Sequence, residues 1–371
     1  MIPYGKQHID KSDIAAVVDI FKSDWLAQGP KVTAFEQALA DYCGAKYAVV
    51  VNSGTAALHL AYRAVGLEPG DEVITTPNTF AATANMLLVV GAKPVFGDIR
   101  LDTYNLDEKK IERLITSRTK AIVPVHFAGH PCDMTTINRV ARKHKLRVIE
   151  DACHALGATY GGRKIGGLSD LSVFSFHPVK SITVGGEGGA ILTNYRPYYN
   201  KMVHLRSHGI TKDKDGTNVM TDLGYNYRLN DLQAALGLSQ LKKLDQFVKQ
   251  RHQIVSWYVK HLQDLAEIIL PVELPDNYSS WHLYIIRTKD LSQRNGLREF
   301  LKQNGIGVNF HYPAVYRHPY YREHGYKKTT LSNMEVYHHS CITLPCYPDL
   351  TAKEVRYVAR KIKEYFDDQK N

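Results

Sequence analysis

Between residues 45 and 195 the chain alternates short, nearly wholly apolar runs with longer runs of helical character, and this alternation constrains the fold more than any other feature. KYAVVVNS, DEVITTP, KPVFGDI, KAIVPVHF, RVIEDA, LSVFSF and GGAILTN are the strand candidates. Strands that are apolar on both sides need cover on both faces, the arrangement of a parallel sheet with crossover helices. TAALHLAYRAVG and AATANMLLVVGA supply two of those helices, each ending near a glycine able to take the left-handed closing conformation. The expectation is an α/β large domain.

Near residue 220 the texture changes to a polar, aromatic loop and then a long periodic run with Leu232, Leu238, Leu241, Leu244 and Phe247 near one face. Asn230 or Asp231 can cap its start. Its heptads are not sustained, so it reads as a helix bridging two domains rather than a coiled coil. Pro271, Pro275 and DNYSS then mark a boundary, after which WHLYIIRT and GIGVNFHY read as strands flanking the helix LREFLKQNG, with a final helix near 351–366. The expected division is a large domain over 1–245 and a smaller α+β domain over 246–371, with the first thirty or so residues packing on the small one.

The bulk properties exclude several classes. A chain of 371 residues, 44% hydrophobic and 23% charged, suits about two ordinary globular domains and not a disordered protein. The start, MIPYGKQHIDKSD, lacks a secretory pattern, and the longest apolar stretch, near Met86 to Val90, is far too short to span a bilayer. A soluble, cytoplasmic protein is expected. The five cysteines are scattered with no C-x-x-C pair, which argues against a disulfide framework or structural zinc, and His126 and His130 in HFAGH do not suit a metal site. The net charge of +10 comes from basic residues mixed with acids along helices, such as Arg139 to Arg147. It fits small phosphate-bearing ligands better than nucleic acid.

Three segments carry candidate chemistry. In VVVNSGTAALHL, Asn52 to Thr55 stand where a strand turns into a helix, and the free amides of a helix N-terminus suit a phosphate, although an ordinary cap reads the same way. RVIEDACHALGA puts Asp151 at the end of a buried strand, with His154 three residues on; a capping aspartate is the plain alternative. FSFHPVKSITVGGEGG supplies Ser175 and Lys180 after another strand, followed by glycines that let backbone approach a flat ligand. A lysine drawn out of water there has its pKa lowered toward a usable nucleophile, whereas one that snorkels does not. Together the three match what pyridoxal phosphate needs: a helix N-terminus for its phosphate, an aspartate for its ring nitrogen and a lysine amine for its aldehyde.

SGTAALHLA, TTPNTFAATAN, EDACHALGA, SFHPVKSIT, GEGG, LRSHGI and GYNYRLNDLQAALG resemble, in order and over nearly the whole chain, the motifs of the DegT/DnrJ/EryC1/StrS family of nucleotide-sugar aminotransferases. The resemblance implies the PLP-dependent transferase fold of type I. By the same match Lys180 forms the Schiff base with the cofactor, Asp151 pairs with the ring nitrogen, Gly54, Thr55 and Ser175 hold the phosphate, and Phe80 and His154 flank the ring. Asn226 would reach the phosphate from a second subunit, making the active unit a homodimer. Trp25, Arg228, His311 and Tyr312 are the implied substrate contacts, and no metal is implied. One departure stands out: KSITVGGEGG carries an extra residue, with Gly185 and Gly186 adjacent, which leaves the roles of Thr183 and Glu187 open.

FHPVKSIT, LRSHGI, GYNYRLND, HLYIIRT and GIGVNFHY are most similar to the subgroup that aminates UDP-2-acetamido-2,6-dideoxy-β-L-arabino-hexos-4-ulose in pseudaminic acid synthesis. Such enzymes take the amino group from L-glutamate, pass it through pyridoxamine phosphate and deliver it to a 4-keto sugar. GDP-perosamine, dTDP-viosamine and UDP-bacillosamine types are the alternatives. A dehydratase that replaces the lysine with histidine is disfavoured by Lys180, and a cofactor-binding regulator by the lack of a helix-turn-helix with a basic recognition face.

Overall fold

The computed structural model describes residues 1–369. Every strand expected between 45 and 195 forms: β1 (Tyr47–Val51), β2 (Glu72–Thr75), β3 (Lys93–Phe96), β4 (Thr119–Val123), β5 (Arg147–Asp151), β6 (Leu171–Ser175) and β7 (Gly189–Thr193). They make one sheet in the spatial order β1-β7-β6-β5-β4-β2-β3. β3, β2, β4, β5 and β6 are mutually parallel, and β7 runs antiparallel to both β6 and β1. β1 therefore points the same way as β5 and β6, so the C-terminal ends of all three lie at one edge of the sheet.

The central strands are sealed on both faces, with Val49 to Val51, Val173, Phe174, Ile191 and Leu192 fully or almost fully buried. The helices Gly54–Ala64 and Ala82–Val89 follow β1 and β2, and Gly66 and Gly91 beyond them sit at φ of +78° and +82°, the expected left-handed closures.

The periodic run after residue 230 is two helices, Asp231–Leu241 and Leu244–Leu262, rather than one. The break falls at Lys243, whose ammonium is drawn to Asp10 (2.6 Å) and Asp13 (2.9 Å) beside the helix Lys11–Ile20. Asn230 is the cap, accepting from the Gln233 amide. Asp231 instead turns back and accepts from the amides of Gly29, Lys31 and Val32, closing the N-terminus of the helix Pro30–Cys43, which has no cap of its own. The second helix crosses between two apolar clusters: Leu244, Phe247 and Val248 pack with Phe35, Phe174 and Phe176, while Ile254, Tyr258 and Leu262 pack with Tyr284, Ile342 and Val358.

The C-terminal region is built on β8 (Ile268–Ile269), β9 (Tyr284–Thr288) and β10 (Cys341–Leu344), antiparallel in the order β8-β9-β10, with the helices Gln293–Gln303 and Ala352–Asp368 among its packing elements. β10 was not anticipated. GIGVNFHY, expected as a strand, forms only the isolated bridges Ile306 to Ile2 and Asn309 to Thr343. Gly305 sits at φ +73° and the N-terminal backbone presses on Gly307, where a Cβ would come within 3.0 Å of Ile2 O, so the segment accepts single contacts instead of a ladder. His311 and Tyr312 thus lie in irregular chain, not at the end of a strand. The N-terminal residues run beside it, with Ile2 bonded to Gly305 and Gly307 and the Tyr4 carbonyl accepting from Cys346.

Candidate active site

The shared edge of β1, β5 and β6 opens into a cavity of about 590 Å³. Its walls bring together most of the residues singled out from the sequence: Gly54, Thr55, Phe80, Asp151, His154, Ser175, Lys180, His311 and Tyr312. Trp25, Asn226 and Arg228 do not line it within the chain. Trp25 is 57% exposed, and Asn226 is exposed with its carbonyl accepting from Asn52 Nδ2.

The floor is a helix N-terminus. Ser53 caps the helix Gly54–Ala64 by accepting from the Ala56 amide at 3.0 Å, while the amides of Gly54 and Thr55 have no intrahelical acceptor. Two close approaches keep this cradle open. A Cβ on Gly54 would lie 3.0 Å from Ser175 Cβ and 3.2 Å from its Oγ, and a Cβ on Gly189 would lie 2.5 Å from Ser53 O. Bare amides, the positive end of the helix dipole and the Ser175 hydroxyl suit a phosphate dianion.

Asp151, at the end of β5, is 4% exposed. Its Oδ2 accepts from Thr83 Oγ1 at 2.6 Å and its Oδ1 from the Cys153 amide at 3.2 Å. Thr83 also bonds Thr79 Oγ1 at 2.7 Å, so a relay of two threonines aims the carboxylate into the cavity. Thr79 and Thr83 escaped the sequence reading, although both lie in TTPNTFAATAN, where two threonines four apart at a helix start were the available signal. One residue back, Glu150 serves another purpose: wholly buried, it accepts from His126 Nε2 at 2.8 Å and from the hydroxyls of Ser169 and Ser172.

Lys180 lies in the turn after β6, its amide donating to His177 O. Burial pushes its ammonium pKa below the ordinary lysine range, with Cys153, Asp151 and Glu187 opposing the shift. Part of the amine is thereby freed as a neutral nucleophile at a lower pH than for a lysine in water. In the glycine run, Gly185 needs its φ of +82° and donates to Thr183 Oγ1, while a Cβ on Gly186 would meet nothing within 4 Å. The doubled glycine therefore has one position set by backbone conformation and one with room for a side chain. Glu187 stands at the cavity wall with His177 3.9 Å away.

Opposite, His154 is fixed at both nitrogens. The Ala128 amide donates to its Nδ1 (3.3 Å), which leaves the proton on Nε2 for Tyr312 Oη (3.2 Å). Burial, helped by the Lys180 charge and His311, drives its pKa well below the usual imidazole value. His311 is pushed down to about 3 by burial and by Lys180. Asn309 Nδ2 donates to its Nε2, so its Nδ1 proton goes to Thr343 Oγ1. Phe80, 61% exposed, rims the mouth beside Tyr312 at 6.1 Å between ring centroids. A neutral imidazole plane, a carboxylate, an amine and a phosphate cradle around one cavity fit a flat phosphorylated pyridine.

The sequence matches the DegT/DnrJ/EryC1/StrS aminotransferase family over residues 7–363. The chain belongs to this family. It is 43% identical over 364 residues, 96% of both chains, to UDP-4-amino-4,6-dideoxy-N-acetyl-beta-L-altrosamine transaminase of Campylobacter jejuni. Among solved structures it is similar to Helicobacter pylori PseC, described as an aminotransferase of pseudaminic acid biosynthesis, with a TM-score of 0.95, 37% identity and 99% of both chains covered. The putative sugar aminotransferase Spr1654 of Streptococcus pneumoniae, solved in PLP and PMP forms, matches at 31% identity with TM-scores of 0.94 and 0.95, covering at least 99% of each chain. The chain is an aminotransferase of fold type I, and the sheet order above is that of its mostly parallel core.

Proposed function

We propose that this aminotransferase uses pyridoxal 5′-phosphate to convert the 4-keto group of a nucleotide-linked 6-deoxy sugar into a 4-amino group, with L-glutamate as donor. The acceptor we favour is UDP-2-acetamido-2,6-dideoxy-β-L-arabino-hexos-4-ulose, giving UDP-4-amino-4,6-dideoxy-β-L-AltNAc, in line with the amino sugar in the name of the Campylobacter jejuni relative. The observation that carries the reading is the convergence of Lys180, Asp151 and the helix start at Gly54 on one cavity.

When bound, the cofactor supplies an aldehyde that takes up amines and a protonated ring that draws electrons from the bond being broken. The amides of Gly54 and Thr55 and the Ser175 hydroxyl bind its phosphate. Asp151 Oδ2, steadied by Thr83, holds the proton at its ring nitrogen, while His154 covers one ring face without adding charge. Lys180 Nζ would hold the cofactor through its aldehyde carbon. With the donor bound, the same Nζ would be the base that takes the proton from the donor's α-carbon and, with the keto-sugar bound, the acid that delivers a proton to C4 of the sugar. Asn226 of a second copy completes the phosphate site, with Trp25 and Arg228 reaching the substrate, so the working unit is a homodimer. In this reading residues 1–245 form the large cofactor-binding domain and residues 246–371 the smaller C-terminal domain.

Purified protein should be yellow, lose that absorbance with glutamate and regain it with the right keto-sugar. Lys180→Ala should not bleach at the normal rate; if it does, the role of Lys180 is wrong. A panel of UDP-, GDP- and dTDP-4-keto sugars decides the acceptor.

A further inference from the structure

His282 belongs to the cavity wall, yet none of the roles above uses it. It is 5% exposed, and neither ring nitrogen has a hydrogen-bond partner among the described residues. Nδ1 is wholly enclosed, which leaves Nε2 as the accessible nitrogen. A buried nitrogen with nothing to receive its proton is better left as a bare lone pair, so the neutral ring carries its proton on Nε2. Burial, with His154 and Lys180 close by, keeps the ring neutral.

The surrounding backbone is built to hold this ring in place. Trp281, just before it, sits at φ +46°, a strained setting for a bulky side chain. Arg251, buried without a carboxylate partner among the described residues, donates through Nη1 to the carbonyls of Trp281, His282 and Cys346. From the other side Ser280 Oγ donates to His154 O, and the amides of Ser280 and Leu283 donate to Gly129 O and Ala128 O. Gly129 permits this contact, since a Cβ there would lie 2.9 Å from the Trp281 amide nitrogen. The imidazole is thus held 4.5 Å from that of His154, centroid to centroid, with its donor unused.

Resting on the proposed function, we propose that His282 is a further substrate-binding residue, whose Nε2–H donates to an oxygen of the substrate bound beside Lys180. A donor carboxylate and a sugar hydroxyl or carbonyl present the same acceptor chemistry, and the two half-reactions separate them. The holoenzyme carrying His282→Phe, which keeps a planar ring, and His282→Gln, which keeps a donor, should be mixed with glutamate or, in the pyridoxamine form, with the keto-sugar while cofactor absorbance is followed. We expect His282→Phe to keep the wild-type resting spectrum and to need about tenfold more of one substrate for half-saturation, with His282→Gln partly restored. The half-reaction affected names the oxygen. Wild-type saturation by both substrates in His282→Phe, or a lost or shifted resting spectrum in both variants, would overturn the assignment. A wild-type protein that neither absorbs nor bleaches would instead overturn the proposed function.

Discussion

Thr83→Val removes one hydroxyl while keeping the shape of the side chain. In the native chain that hydroxyl donates to Asp151 at 2.6 Å, with both side chains buried, a charge-assisted bond worth about 1.5–3 kcal/mol. Without it the carboxylate keeps only the longer bond from the Cys153 amide and holds a ring-nitrogen proton less firmly in place. If most of that energy is expressed in the transition state, kcat/KM should fall about ten- to a hundredfold, since about 1.4 kcal/mol is tenfold. Asp151→Asn should fold and lose most turnover, because its amide cannot keep the ring nitrogen charged. The decisive assay is the double-mutant cycle on kcat/KM. If Thr83 acts only through the Asp151 carboxylate, adding Thr83→Val to Asp151→Asn should cause almost no further loss. Losses that multiply, or a Thr83→Val enzyme within twofold of wild type, would refute the relay.

Gly54→Ala places a methyl 3.0 Å from Ser175 Cβ in the phosphate cradle, so cofactor titrations followed by absorbance should show weakened binding, with unchanged affinity as the contrary result. Asp231→Ala strands the amides of Gly29, Lys31 and Val32; we expect a loss of about 2 kcal/mol or more, read as a lower denaturant midpoint in circular dichroism. His130 is held down to about 4 by burial, below the 6.5 of a free imidazole, so on acidification the unfolded chain takes up the proton first. The stability this neutral ring contributes is full above pH 6.5 and is lost as the pH falls to 4, a change of about 3 kcal/mol. His130→Gln should flatten the pH dependence of unfolding across that window, and an unchanged slope would count against the assignment.

The large sheet was legible because its strands are buried on both faces, so apolar composition and turn residues suffice to mark them. The same simplicity exposed Lys180, Asp151 and the Gly54 turn, which are polar or flexible residues at the ends of apolar runs. GIGVNFHY misled for the opposite reason: its alternation is that of a strand, but its pairing is decided by the N-terminal residues lying against Gly307. The continuous helix expected after Asp231 is also interrupted, at Lys243, whose ammonium pairs with two aspartates more than two hundred positions earlier, a contact that local periodicity does not record.

The sequence by itself determined the class of sheet and the order of its elements, and marked Lys180, Asp151 and the Gly54 turn as candidates, since each is written in local periodicity or in a short motif. Only the tertiary structure decided which side chains support them. The Thr79–Thr83 relay onto Asp151, the Asp231 cap on a helix two hundred residues away and the unpartnered His282 beside His154 all depend on segments brought together by burial of distant apolar faces. A hydrogen bond is sensitive to tenths of an ångström, and no one-dimensional pattern records a distance between chain segments that far apart.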